Sequence, residues 1–128
     1  MDPKKKRGNM PKKTLLIVKS SPYGRVRATE SFRIATAMIA MDVLPQLLFI
    51  DDGVYCLLKN QKPEAAGLNS FAERLKTLAD LVGLHAVSDS MVKRNLRNSD
   101  LDETYNVKTI SLDEAAELIL ENDVVIAF

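Results

Sequence analysis

The sequence holds a single cysteine, Cys56, and a single histidine, His85, and this scarcity bounds its chemistry. One of each cannot assemble a four-ligand zinc site. A cysteine–histidine nucleophile pair would have to be Cys56 with His85, and a serine triad would also have to recruit His85. A lone cysteine forms no internal disulfide, which excludes a stapled secreted scaffold and fits a reducing compartment.

Each remaining candidate reads two ways. Cys56 follows the acidic pair Asp51–Asp52 by about one helical turn, and a thiol near a helix N-terminus can ionise and act as a nucleophile. Its neighbours Val54, Tyr55, Leu57 and Leu58 are apolar or aromatic, and among them a cysteine packs as a small hydrophobe. Asp51 and Asp52 can hold magnesium with a phosphate, or serve only as an acidic helix start that the dipole favours. In the run Ser20–Ser21–Pro22–Tyr23–Gly24, Ser20, Ser21, Tyr23 and Gly24 can offer hydroxyls and backbone N–H groups to a phosphate. That run has neither the GxGxxG nor the Walker spacing. A plain strand-to-helix turn is the simpler reading, and a small-molecule or nucleotide-binding module the alternative. His85 sits inside a short strand, either as a base or as a satisfied core side chain. No metal set emerges, and no cofactor is expected.

Alternating strands and helices position these groups. Thr14–Val18 is a continuous, partly β-branched apolar run, the pattern of a strand buried on both faces. Phe32, Ala35, Met38 and Ile39 then recur at helical spacing, with Ala28, Ala35, Ala37 and Ala40 supplying helix propensity. Leu47–Ile50 is a second strand, closed by Asp51–Asp52–Gly53, and a short helix through Val54–Leu58 follows, ended near Pro63. Asn69 or Ser70 caps the longest helix, whose inner face carries Phe71, Leu75, Leu78, Ala79 and Val82, and Gly83 stops it. Leu84–Val87 is a third strand, and Ser88 or Asp89 caps a helix through Met91, Val92 and about Leu96. Arg97–Glu103 reads as a loop and Val107–Ile110 as a weak strand. Ser111 and Glu114 form a capping box, and Val124–Phe128 closes the chain as a last buried strand. Five alternations predict a three-layer α/β/α domain with a five-stranded, mainly parallel sheet, flavodoxin-like or Rossmann-like. Ligands of such sheets sit at the carboxyl ends of the strands, which selects Ser20–Gly24, Asp51–Gly53 and Val87–Ser90.

At 128 residues and 46% hydrophobic composition, one domain can bury its own core without staples. No apolar run approaches the roughly 18 residues of a membrane span. Residues 1–12 are read as a basic disordered tail, an added tag or an over-long start, and 13–128 as a single domain. Lys4, Lys5, Lys6, Arg7, Lys12 and Lys13 against Asp2 give residues 1–13 a net charge of +5. The rest of the chain, with 12 basic and 16 acidic residues, carries −4. An acidic body with 5% aromatic residues argues against direct nucleic-acid binding. Val54, Tyr55, Leu57 and Leu58 offer more apolar surface than one side of a short helix hides, so this helix and the Gln61–Lys62–Pro63 loop are expected at a subunit interface.

Six segments carry a resemblance. Leu15–Val18, Ser21–Pro22–Tyr23–Gly24 and Glu30–Ala35 resemble the opening of the DsrE/DsrF family of sulphur-relay proteins. Phe49–Tyr55 with Leu57–Pro63 resembles the TusC/DsrF branch most specifically, and Asp123–Phe128 is similar to the family's closing strand. The resemblance spans about residues 13–128. It implies α/β subunits in hexamers, cytoplasmic, that hand persulphide sulphur between proteins in transfer-RNA thiolation or sulphur oxidation. Partners would be TusB/TusD-like or DsrE/DsrH-like subunits, or further copies in a homotrimer or homohexamer, with no membrane involved. In the sulphur-carrying subunits of the family the acceptor cysteine lies just after the third strand. Here Val87 and Ser88 take that position, and neither can carry a persulphide. The expected role is therefore a non-catalytic subunit that positions a partner's cysteine. The alternative is a carrier that uses Cys56 in a homo-oligomer.

Overall fold

The computed structural model describes residues 12–22, 26–59 and 69–128, with side chains in the last segment given from residue 72. Tyr23, Gly24, the Gln61–Lys62–Pro63 loop and residues 1–11 lie outside the described residues, as do the side chains of Asn69, Ser70 and Phe71.

Five strands among the described residues form one parallel sheet: β1 (Thr14–Val18), β2 (Gln46–Phe49), β3 (Leu84–Val87), β4 (Lys108–Ile110) and β5 (Val124–Ala127). Their order is β4-β3-β2-β1-β5. The chain steps outward from β1 to β4, then crosses back to lay β5 against the free side of β1. That reversal makes the switch point of the sheet, between β1 and β5. Parallel neighbours need crossovers, supplied by α1 (Arg27–Ala40), a 3-10 helix (Asp51–Leu57) with α2 (Asn69–Leu81), α3 (Ser88–Lys93) and α4 (Leu112–Glu121).

Period-two alternation sends the apolar strand residues to two cores. On one face, Leu16, Val18, Leu47, Phe49, Leu84 and Ala86 pack against α1 and α2. There Phe32 meets Phe49 in a tilted pair with ring centroids 6.1 Å apart. On the other face, Leu15, Ile17, Leu48, Val87 and Ile110 pack under Ala115 and Leu118 of α4. The start of α4 is fixed by the reciprocal box: Glu114 N–H donates to Ser111 Oγ at 3.1 Å and Ser111 N–H to Glu114 Oε1 at 3.3 Å.

The three-layer α/β/α sheet read from sequence is the one observed, and four local expectations are corrected. Val124–Ala127 is an edge strand among the described residues, with Val125 41% and Ile126 39% exposed, because strand order, invisible in an apolar run, leaves it beside β1 alone of the described strands. Neither Ser88 nor Asp89 caps α3 through its side chain. Val87 holds the cap position, and the helix stops at Lys93. The stretch after Arg97 contains two 3-10 turns, Asn98–Asp100 and Glu103–Tyr105, the second capped by Asp102, whose Oδ1 accepts from Thr104 N–H at 2.9 Å. The helix after β2 is 3-10 and begins at Asp51. Its Val54 and Leu57 are buried within the chain, so they supply no open interface.

Candidate functional site

The rim at the carboxyl ends of β1, β2 and β3 is assembled by close backbone contacts. Ile50 N–H donates to the Val18 carbonyl at 3.1 Å and Gly53 N–H to the Ile50 carbonyl at 2.9 Å. Asp51 takes a left-handed φ of 49°, which folds the 3-10 helix back onto the end of β1. The fit requires glycine at 53, where a Cβ would lie 1.9 Å from the Val18 oxygen. The D-D-G sequence is thus a packing device before it is a chemical one.

A second set of contacts ties this helix to α3. Ser90, buried, accepts the Asp51 N–H on its Oγ at 2.9 Å. Arg94 donates from Nε at 3.1 Å and Nη2 at 3.0 Å to Asp52 Oδ1, and from Nη1 to the Ser90 carbonyl at 3.1 Å. Asp52 is therefore paired with a guanidinium. Among the described residues no group of three or more metal-ligating side chains comes together. Sequence reading placed Ser90 in a rim loop without giving it a partner, and missed Arg94. Their spacing of four on one helix was the available signal, but their partners lie about forty residues away.

Cys56 lies in the core on the α1 and α2 face, fully buried. Its Sγ donates to the Ser20 carbonyl at 3.8 Å, and burial pushes the thiol far above its ordinary range, opposed only in part by a backbone hydrogen bond. Tyr105, buried in the same core, is pushed up to about 12 by burial first, then by Asp102 and Cys56. His85 belongs to the opposite face of the sheet, since it alternates with Leu84 and Ala86. The sheet separates Cys56 from His85, so the two form no nucleophile–base pair. Both ring nitrogens of His85 are buried without a hydrogen-bond partner among the described residues. Burial lowers its pKa, and Lys108 lowers it further.

Ser20 and Ser21 are half-buried at the end of β1, and Ser20 Oγ donates to the Phe128 carbonyl at 3.4 Å. Val87 and Ser88 part company. Val87 is core, under α4, whereas Ser88, the first residue of α3, opens onto a hollow of about 210 Å³ with Met91, Val92, Leu96, Arg97, Asn98 and Thr109. A larger hollow of about 560 Å³ shares Asn98 and Thr109 with it and runs on to Asn106. Ser88 is half-buried at the rim and carries a hydroxyl. No described helix is long and apolar enough to cross a membrane.

Comparison with known proteins agrees in sequence and in fold. The family model described as DsrE/DsrF-like matches residues 12–128. The intracellular sulfur oxidation protein DsrF of Allochromatium vinosum is 29% identical over 91% of this chain and 96% of its own length. A TusC homolog of Vibrio parahaemolyticus is 27% identical over 88% of this chain and 95% of its own. The crystal structure of the YchN protein of E. coli superposes with a TM-score of 0.75 at 24% identity, covering 92% of this chain and all of that one.

Proposed function

This chain belongs to the DsrE/DsrF-like family, and from that premise we propose that it is a non-catalytic subunit of a cytoplasmic sulphur-relay complex. In such a relay an acceptor thiolate attacks the outer sulphur of a persulphide. One S–S bond forms, the other breaks, and the donor leaves as a thiolate. The acceptor must therefore be ionised and reachable. Here the rim position holds Ser88, whose hydroxyl forms no persulphide, and the one thiol, Cys56, is sealed in the core. That combination is the observation that carries the reading. The rim then serves as shape: the Arg94–Asp52 and Ser90–Asp51 contacts hold it rigid beside a partner subunit whose cysteine carries the sulphur. The partners of this reading are TusB/TusD-like or DsrE/DsrH-like paralogues or further copies of the chain, and the pathway is transfer-RNA thiolation or sulphur oxidation.

The test is sulphur loading. The protein alone, incubated with a cysteine desulphurase and cysteine, should gain no sulphur by mass spectrometry. The cysteine-bearing paralogue should gain one, and should pass it on faster with this subunit present. A persulphide on Cys56, or transfer indifferent to this subunit, would overturn the reading.

A further inference from the structure

Among the described residues, His85 holds the only buried side-chain nitrogen or oxygen atoms without a hydrogen-bond partner, whereas buried polar atoms are almost always partnered. The ring leans along β3 over Gly83, with Nε2 3.2 Å from the point that a Cβ of Gly83 would occupy. Four charged groups face it around a hollow of about 170 Å³: Lys108 from β4, and Glu114, Glu117 and Glu121 from α4. β2 presents Leu48, the register partner of His85, and β3 itself presents Val87 on this face, so neither adds a charge. Glu114 already accepts the Ser111 N–H in the capping box. No carboxylate reaches the ring, and the Lys108 charge opposes a proton on it.

The helix above the ring has a slight hold on that side. α4 buries only Ala115 and Leu118, whereas α1 buries Ala28, Ser31, Phe32 and Ala35. Among the described residues no other helix contributes to the core under α4. Glu114, Glu117 and Glu121 follow one another at helical spacing along the flank beside Ala115 and Leu118. That flank borders a hollow rather than packed side chains, so lifting it breaks little apolar contact.

We propose that protonation of His85 opens this flank: the Glu117 and Glu121 side of α4 swings away from β3 and β4, water enters the hollow, and the sheet stays paired. In the closed form a charged ring is dry and stands beside a like charge, whereas in the open form water hydrates it. The open form therefore binds the proton more tightly, and linkage makes opening rise as pH falls below about 6.5. Capture of the ring by a carboxylate would instead require Glu117 or Glu121 to shed its water and the ring to leave its berth over Gly83. Opening is the smaller rearrangement. α4 is thus an acid-sensitive cover on one face of the sheet, a role independent of the sulphur chemistry.

Hydrogen exchange of the full chain at about pH 7.5, 6.5 and 5.5, corrected for the pH dependence of chemical exchange, tests this. The amides of Leu112–Glu121 should be accelerated several-fold, up to about tenfold per pH unit below 6.5. Low urea should barely change their rates, the mark of a small local opening. The amides of β1 and β2, which exchange through global unfolding, should respond steeply to urea. His85→Leu should abolish the acid acceleration in α4. Lys108→Gln, an exposed position, should reduce it by removing the like charge. Absence of acceleration in the wild type, α4 amides as sensitive to urea as those of β1, or acceleration unmoved by both variants would overturn the proposal. Sulphur loading is measured at neutral pH with the flank closed, so the two readings fail separately.

Discussion

Arg94 grips a single oxygen of Asp52 from two nitrogens, at 3.1 and 3.0 Å, while Ser90 on the same helix takes the Asp51 N–H. The two contacts differ in weight. The Asp52 carboxylate is 60% exposed, and exposed ion pairs contribute about 0–1 kcal/mol. The Ser90 hydroxyl is buried, and removing it orphans a backbone donor at a cost of about 1–3 kcal/mol. Ser90→Ala should therefore lower the urea midpoint more than Asp52→Asn does. The reverse ranking would mean that the ion pair holds the rim.

Gly53 and Gly83 make a matched pair. A Cβ at 53 meets the Val18 backbone oxygen at 1.9 Å, whereas at 83 it meets only the His85 ring, at 3.2 Å. A backbone atom of a strand paired on both sides cannot yield, but a side chain can. Gly53→Ala should cost about 3 kcal/mol, the upper end of overpacking, and Gly83→Ala far less. Thermal unfolding of the two variants side by side checks the order.

The strands and the box at Ser111–Glu114 were legible because they are local: apolar runs and a four-residue motif carry their own physics. The Asp51–Gly53 turn was also legible as a stop, though not as a close approach to Val18, since nothing near Gly53 in sequence names its neighbour. The same limit hid the burial of Val54 and Leu57. The segment around Leu101 folds back over them, with Asp102 N–H donating to the Leu57 carbonyl at 2.9 Å. It hid the exposure of β5 as well, which depends on where the last crossover lands. Pattern reports which residues want burial; only topology reports which of them receive it.

His85 should make stability fall in mild acid. Its folded pKa lies below the ordinary 6.5, so between the two values the unfolded chain binds more protons than the folded one. The contribution is complete above about pH 6.5 and is lost as pH falls from there through the folded value. Lys108 opposes the charged ring from β4, while Glu114, Glu117 and Glu121 face the same hollow from α4. Denaturation midpoints at about pH 7.5 and 5.5 should differ in the wild type, and the gap should shrink in His85→Leu. An unchanged gap would assign the acid sensitivity to other groups.

Cys56 should stay unreactive for as long as the chain is folded. Alkylation requires a thiolate and a path for the reagent. Burial denies both, because the side chain has no exposed surface and the same dryness penalises its charged form. The backbone hydrogen bond works the other way but is the smaller effect. Asp51 and Asp52, exposed at the start of the same helix, supply no cation to compensate. Iodoacetamide should therefore modify native Cys56 at a rate set by opening of the fold, and at the rate of a free thiol in denaturant. Ser88→Cys supplies the contrast on the same scaffold. A thiol there, half-buried at the rim and bordering the hollow with Arg97, should be alkylated in the native protein and should gain sulphur from a desulphurase. Fast native labelling of Cys56 itself, with Ser88→Cys inert, would put the reactive position back at Cys56 and return the chain to the class of sulphur carriers.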